Sequence, residues 1–131
     1  MEVFDPLHYP TFVLRQFFAL VPELFFVAET KGGHLVGYAL GAIGVHNKKG
    51  WLLSIAVDRS LRNKHIGTML GNELISELKG FGAEKIMLTV HPDNKSAITL
   101  YQKLGFGSKE GKDAYFGKEE PRLLMTLGQS T

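Results

Sequence analysis

The chain has 131 residues, the length of one typical domain, and its 44% of hydrophobic and 21% of charged residues exclude a disordered chain. It has no cysteine, which excludes disulfides, thiolate zinc sites and a cysteine nucleophile. The net charge of +2 is too small to make nucleic acid or an anionic membrane the expected partner.

The first half of the chain predicts one helix and three strands. Apolar and aromatic residues favour a helix over 11–20, with a proline suitably placed at its start. Runs of apolar residues then predict strands at 24–28, 35–45 and 51–57, separated by turns rich in glycine, lysine and asparagine.

The second half alternates helices and strands. Leucines four residues apart predict a helix over 66–79, and a strand follows at 85–90. A second amphipathic helix spans 95–104 and stops at a glycine, and a last strand is predicted at 122–127. The order α-β-β-β-α-β-α-β predicts a single α/β domain over 1–131. Its one mixed sheet joins strands 51–57 and 85–90 in parallel through a right-handed crossover.

A basic loop follows the predicted strand 51–57. Its side chains that carry or can acquire positive charge are Arg59, Arg62, Lys64 and His65. Gly67 then opens the helix, and a helix start offers unpaired N–H groups and partial positive charge to an anion. The pattern is typical of a phosphate-binding turn, although neither a Walker loop nor a G-x-G-x-x-G fingerprint is present. An ordinary turn with solvated charges is the alternative interpretation.

Asn94 and Tyr101 mark a second segment of interest. Asn94 can cap the helix that follows it, and Tyr101 lies on the same helical face. Because ligands favour the carboxyl ends of parallel strands, Asn94 and the basic loop are expected to face one cleft. The alternative is that Asn94 is only a cap and Tyr101 only a core residue.

Together the two segments resemble the GNAT superfamily of acetyl-CoA-dependent N-acetyltransferases. The family's R/Q-x-x-G-x-G/A loop is similar to residues 62–67, which read RNKHIG. Its N-x-x-A-x-x-L-Y-x-x-x-G-F signature is matched by Asn94, Ala97, Leu100, Tyr101, Gly105 and Phe106. Residues 26–29 and 35–38 are similar to the paired front strands, so the resemblance covers about 24–127.

The resemblance implies direct transfer of an acetyl group from acetyl-CoA to a primary amine. By analogy with the family, the backbone of Ile55, Ala56 and Val57 would pair with the pantetheine arm like an added strand. The residues that would surround the pyrophosphate are Arg62, Asn63, Lys64, His65, Ile66, Gly67 and Thr68. Asn94 and Ala97 would line the pantetheine, and Tyr101 would give a proton to the leaving thiolate.

The sequence departs from the family pattern in two places near the reaction. His65 occupies the first glycine of the phosphate loop. Many members carry a glutamate that accepts the amine's proton, but the candidate positions here are Leu53, Ser54 and Thr89, and none is a base. The proton would then leave through water, or His91 would accept it; an exposed loop histidine is the alternative reading of His91.

A third departure concerns the N-terminal part. The family usually opens with a strand and a helix before the first helix predicted here, and only ten residues precede position 11. The domain is therefore expected to lack part of that strand and helix; the alternatives are that residues 1–4 form a short stub or that a partner chain covers the gap. If so, apolar residues of 11–20 would be exposed, which favours a homodimer.

The resemblance implies an acceptor amine on a protein N-terminus or on a small molecule. Tyr115 is a substrate-pocket candidate together with Thr89, and a hairpin aromatic covering the core is the alternative for Tyr115. A catalytically weak or inactive acyl-CoA-binding domain, acting as a sensor or subunit, is the alternative function. Neither a signal peptide nor a membrane span is recognisable and no metal-ligand spacing occurs, so we expect a cytoplasmic protein without metal, nucleic acid or membrane partners.

Overall fold

The computed structural model describes residues 2–3, 22–108 and 121–128. The strands are β1 (Glu2–Val3), β2 (Phe25–Glu29), β3 (Leu35–Ile43), β4 (Lys49–Val57), β5 (Lys85–Val90), β6 (Phe106–Gly107) and β7 (Leu123–Leu127). The helices are α1 (Ile66–Gly80), α2 (Lys95–Leu104) and two 3₁₀ helices, Pro22–Leu24 and Arg59–Lys64. The predicted helix 11–20, its expected role in a homodimer, and Tyr115 lie outside the described residues.

The strands form one mixed sheet in the order β2-β3-β4-β5-β7-β6. β4 and β5 are parallel, as the helix between them requires, and all the other neighbouring pairs in this order are antiparallel. This confirms the predicted α/β fold with a central mixed sheet and flanking helices. Across the part of the chain that the structure describes, no helix is long and apolar enough to cross a membrane.

The core lies between the sheet and the two helices. The predicted leucine stripe of α1 is buried at Leu70, Leu74 and Leu78, where it packs against the sheet. Gly71 brings α2 close to α1, because a Cβ atom there would lie 2.5 Å from Leu104 Cδ1. Gly105 ends α2 at φ 105°, in the left-handed region that favours glycine, as its predicted stop position requires.

β4 and β5 pair only over their first residues. The register runs from Lys49 opposite Lys85 to Trp51 opposite Met87, and beyond that point the two strands separate. β4 continues against β3 as far as Val57, and β5 continues against β7. Where the strands separate, β4 carries a bulge at Leu53, which is 51% exposed, and a bulge bends its strand. A cleft therefore opens between the carboxyl halves of β4 and β5.

The sequence prediction differs from the structure mainly in short elements. The segment after β4, expected as a loop, forms the 3₁₀ helix Arg59–Lys64. Asp58 caps it by accepting hydrogen bonds from the Ser60 backbone (3.0 Å) and hydroxyl (2.9 Å). These hydrogen bonds lower the pKa of Asp58 below its ordinary value, so its carboxylate stays ionised at neutral pH. The two-residue strand β6 was not predicted, because so short a pattern carries no periodicity, and β1 lies within residues 1–4, where a short stub is one of the alternatives.

Candidate functional site

One backbone edge of β4 faces the cleft. The other edge is occupied by β3, with Tyr38 opposite Ala56 and Gly37 opposite Val57. At the same two residues, β1 pairs in parallel with the cleft-facing edge, with Glu2 opposite Ala56 and Val3 opposite Val57. The positions predicted to hold the pantetheine arm therefore line the cleft, and their backbone accepts an added strand. A strand-like ligand and β1 would compete for this edge.

The first turn of α1 presents backbone donors just beyond the end of β4. The earliest hydrogen bond within α1 runs from Met69 N–H to the His65 carbonyl at 3.0 Å, so the N–H groups of Ile66, Gly67 and Thr68 precede the helical ladder. His65 makes no side-chain cap, and the first turn contains no acidic residue. These features suit an anion such as a pyrophosphate.

His65 stands at the position of the first glycine in the family's phosphate loop, and its backbone conformation shows how a histidine is accommodated there. Its backbone is left-handed, at φ 62° and ψ 15°, where it ends the 3₁₀ helix and begins α1. Glycine adopts this conformation without cost, whereas another residue loses about 1–2 kcal/mol. The histidine thus keeps the glycine conformation, and its side chain is exposed. The backbone of Arg62, Asn63 and Lys64 forms the last residues of the preceding 3₁₀ helix.

Asn94, Ala97 and Tyr101 occupy one face of α2. Asn94 caps the helix, since its Oδ1 accepts a hydrogen bond from Ala97 N–H at 3.2 Å. Among the described residues, none accepts a hydrogen bond from Asn94 Nδ2, which leaves that amide available to a ligand. Ala97 is fully buried, and Tyr101 is 3% exposed with its ring edge-on to Phe106, at 6.3 Å between centroids. Asn94 is therefore a helix cap and Tyr101 a core residue, and neither role prevents the residue from also contacting a ligand.

Thr89 lies on β5 where this strand has separated from β4, and it holds Arg122. Arg122 Nε donates to Thr89 Oγ1 at 3.3 Å, and Arg122 Nη2 donates to the Thr89 carbonyl at 2.9 Å. Both residues are half-buried. Sequence reasoning treated Arg122 only as the start of the last strand. Its contact was not foreseeable, because it depends on a strand register between residues 33 positions apart.

His91 follows β5 directly, and its side chain is 47% exposed. Its Nδ1 accepts a hydrogen bond from the Asp93 backbone N–H at 3.0 Å, and the Asp93 carboxylate lies 3.8 Å away. A neutral ring with an accepting Nδ1 carries its proton on Nε2. In this arrangement neither ring nitrogen is free to take a proton from an amine. His91 would act as a base only after its bond to Asp93 is broken.

The other positions considered for a base carry none. Leu53 is the exposed bulge residue, and Ser54 is buried, where its hydroxyl donates to the Tyr38 hydroxyl at 3.2 Å.

Within residues 2–3, 22–108 and 121–128, no three histidine or acidic side chains are close enough together to hold a metal ion.

The fold and the cleft define a class of protein. The two parallel strands separate, the cleft-facing edge of β4 accepts an added strand, and an uncapped helix start lies beside it. These features suit a ligand with a diphosphate and an extended amide arm. Coenzyme A has both parts. The cleft therefore suits an α/β domain that uses an acyl-coenzyme A.

Comparison with known proteins specifies the class further. A model of the acetyltransferase (GNAT) family matches residues 2–106. An N-alpha-acetyltransferase from Sulfurisphaera tokodaii is 34% identical, over 92% of this chain and 78% of that protein. The N-terminal acetyltransferase complex ARD1 subunit homolog of Dictyostelium discoideum is 35% identical over 81% of this chain, which spans only 54% of that protein. In solved structures, the fold is similar to a chain of the NatC complex bound to Gag peptide and CoA, with a TM-score of 0.76, 22% identity, and coverage of 93% and 81% of the two chains.

The chain belongs to the GNAT acetyltransferase family. It is an acetyl-CoA-dependent N-acetyltransferase, with acetyl-CoA as co-substrate and an amine as acceptor.

Proposed function

We propose that this acetyltransferase modifies the α-amine of a peptide or protein N-terminus by direct transfer. The observation that carries the proposal is the similarity to an N-alpha-acetyltransferase along 92% of the chain, at 34% identity. The cleft between β4 and β5 supports it, because such an opening admits a cofactor arm from one side and an extended peptide from the other.

Backbone groups hold the cofactor in this proposal. The pantetheine amides pair with the β4 edge at Ile55, Ala56 and Val57, and β1 pairs with the last two of these residues in the structure. The pyrophosphate binds the N–H groups at the start of α1, and Asn94 Nδ2 donates to the pantetheine. The phosphate-loop residues predicted to contribute are Arg62, Asn63, Lys64, His65, Ile66, Gly67 and Thr68. Ala97, fully buried beneath this face of α2, keeps the surface close to the arm.

The reaction needs one nucleophile and one acid. The neutral amine nitrogen attacks the thioester carbonyl carbon, so that a C–N bond forms and the C–S bond breaks. Tyr101 gives its hydroxyl proton to the leaving sulfur and regains one from solvent. A tyrosine suits the role because its ordinary pKa of about 10 keeps it protonated at neutral pH.

The amine's own proton passes to water. Thr89, Ser54 and Leu53 contribute no basic group, and His91 is engaged through Nδ1 by Asp93. His91 remains a candidate for a base that acts after this bond exchanges. Thr89 and Tyr115 are the candidate pocket residues for the acceptor.

The test is release of free thiol from acetyl-CoA, measured with a thiol reagent over a panel of N-terminal peptides and small amines. Mass spectrometry of the peptides must then show one acetyl group on the α-amine. Acetylation of small amines alone would overturn the peptide assignment. CoA binding with no release on any amine would instead identify an acyl-CoA-binding sensor or subunit.

A further inference from the structure

The guanidinium of Arg122 is fixed in place on β7's side of the cleft. Two of its N–H groups donate to Thr89, at 2.9 and 3.3 Å, so both its position and its plane are set. A guanidinium has five N–H donors in a planar fork. Within residues 2–3, 22–108 and 121–128, no other group accepts a hydrogen bond from the remaining donors.

Its location is beside the opening between the strands. Thr89 is two residues beyond Met87, the last β5 residue that pairs with β4, which places it about 6–7 Å into the separated part. Leu88 and Met125 face the core under the helices. Alternation along the strands therefore puts Thr89 and Arg122 on the opposite face of the sheet.

Among the described residues, the charge of Arg122 has no acidic counterpart. Across the described ranges, no carboxylate lies within ion-pair distance of it, although it is half-buried. Partial burial strengthens the attraction to an opposite charge. A planar carboxylate matches the free side of the fork and can take two hydrogen bonds from it.

We propose that Arg122 is a specificity-determining residue that selects acceptors carrying a carboxylate next to the reacting amine. In a peptide, that carboxylate is the side chain of an aspartate or glutamate at the second position. The proposal rests on the proposed function, since it places the acceptor amine at the cleft. Thr89 has the role of a positioning residue that aims the guanidinium.

The experiment compares peptides that differ only by aspartate or asparagine at the second position. The wild-type chain is expected to show a kcat/KM about 10–100-fold higher for the aspartate peptide, the range for a hydrogen bond to a charged group. Arg122→Met should reduce this ratio to near one, and Arg122→Glu should reverse the preference toward a lysine peptide. Arg122→Lys, which keeps the charge without the fork, should fall between.

The control is Lys85→Met, which removes the same charge from an exposed residue at the other end of β5. It should leave the aspartate-to-asparagine ratio unchanged. A merely structural Arg122 would lower kcat/KM for both peptides equally and keep their ratio, which would overturn the proposal. So would a wild-type ratio near one.

Failure of the proposed function can be distinguished from failure of the Arg122 proposal by measuring peptide binding. If no peptide is acetylated, calorimetric binding of the same two peptides to the CoA-saturated chain still reports on Arg122. Tighter binding of the aspartate peptide, lost in Arg122→Met, would support the residue's role without the peptide reaction. Equal binding of both peptides would reject it.

Discussion

The two halves of the cleft are built from different chemical groups. On the β4 side, the candidate cofactor contacts come mainly from backbone: a strand edge at Ala56 and Val57, and the N–H groups that open α1. On the β5 side, the contact comes from a side chain: the hydroxyl and the carbonyl of Thr89 orient the guanidinium of Arg122. A backbone-built site can keep its geometry when a side chain changes, as the left-handed backbone of His65 illustrates, whereas a side-chain-built site changes with its residues. We therefore expect related proteins to bind the cofactor in the same way and to differ in the acceptor that they select.

The largest effect is expected at Tyr101, the proposed acid. Tyr101→Phe removes the proposed acid but keeps the ring against Phe106, so kcat should fall by about 100-fold or more. The affinity for acetyl-CoA should change by less than about threefold, since the ring packing is preserved. Steady-state rates and calorimetric binding measure the two quantities. An unchanged kcat would exclude Tyr101 as the acid.

The next effect probes the acceptor half through Thr89. Thr89→Val deletes the hydroxyl that accepts from Arg122 Nε and keeps the carbonyl that accepts from Nη2. Loss of one hydrogen bond, about 0.5–1.5 kcal/mol, should lower the aspartate-to-asparagine ratio by about 2–10-fold. Thr126→Val, at a half-buried position of β7, is the matched control. A ratio unaffected by Thr89→Val would mean that the hydroxyl does not aim the guanidinium.

A similar effect is expected on the cofactor half from β1. Because β1 occupies the β4 edge at Ala56 and Val57, weakening it should favour a ligand that pairs there. The double variant Glu2→Pro/Val3→Pro removes both strand N–H groups. It should lower the Kd for CoA by about 2–10-fold, the value of one hydrogen bond. Glu2→Ala/Val3→Ala, which keeps the N–H groups, is the comparison, and weaker CoA binding in the proline variant would contradict the competition.

The smallest effect concerns His65. His65→Gly relieves the left-handed backbone, at φ 62°, but adds freedom to the unfolded chain, so the net gain in unfolding free energy should be about 0.5–1 kcal/mol. Thermal or denaturant unfolding measures it. His34→Gly is the control, since His34 is exposed and is not among the described residues with positive φ. It should be neutral or destabilised. A destabilised His65→Gly would mean that the imidazole itself makes an important contact.

Local patterns made much of the fold predictable. The leucine spacing of α1, the Asn94 cap and the Gly105 stop of α2 each depend on neighbours within a few residues. The strand β5 was predicted at its observed bounds for the same reason. The positions expected near the cofactor follow from two such local motifs.

Other features depend on distant parts of the chain and escaped prediction. The position of β1 on β4 pairs residues more than fifty positions apart, and two residues carry no strand pattern of their own. The Arg122–Thr89 contact depends on the β5–β7 register. The left-handed conformation of His65 is not fixed by the residue type, because only a small share of non-glycine residues adopts positive φ, even though histidine is enriched among them.

One measurement tests the separation of the two halves most directly. In Arg122→Glu, the Kd for acetyl-CoA and the kcat/KM values for aspartate, asparagine and lysine peptides are determined on the same preparation. The Kd is expected to stay within about twofold of wild type, because backbone groups hold the cofactor, while the preference moves from aspartate to lysine. A Kd that changes as much as the peptide preference, or a preference that stays with aspartate, would contradict the account.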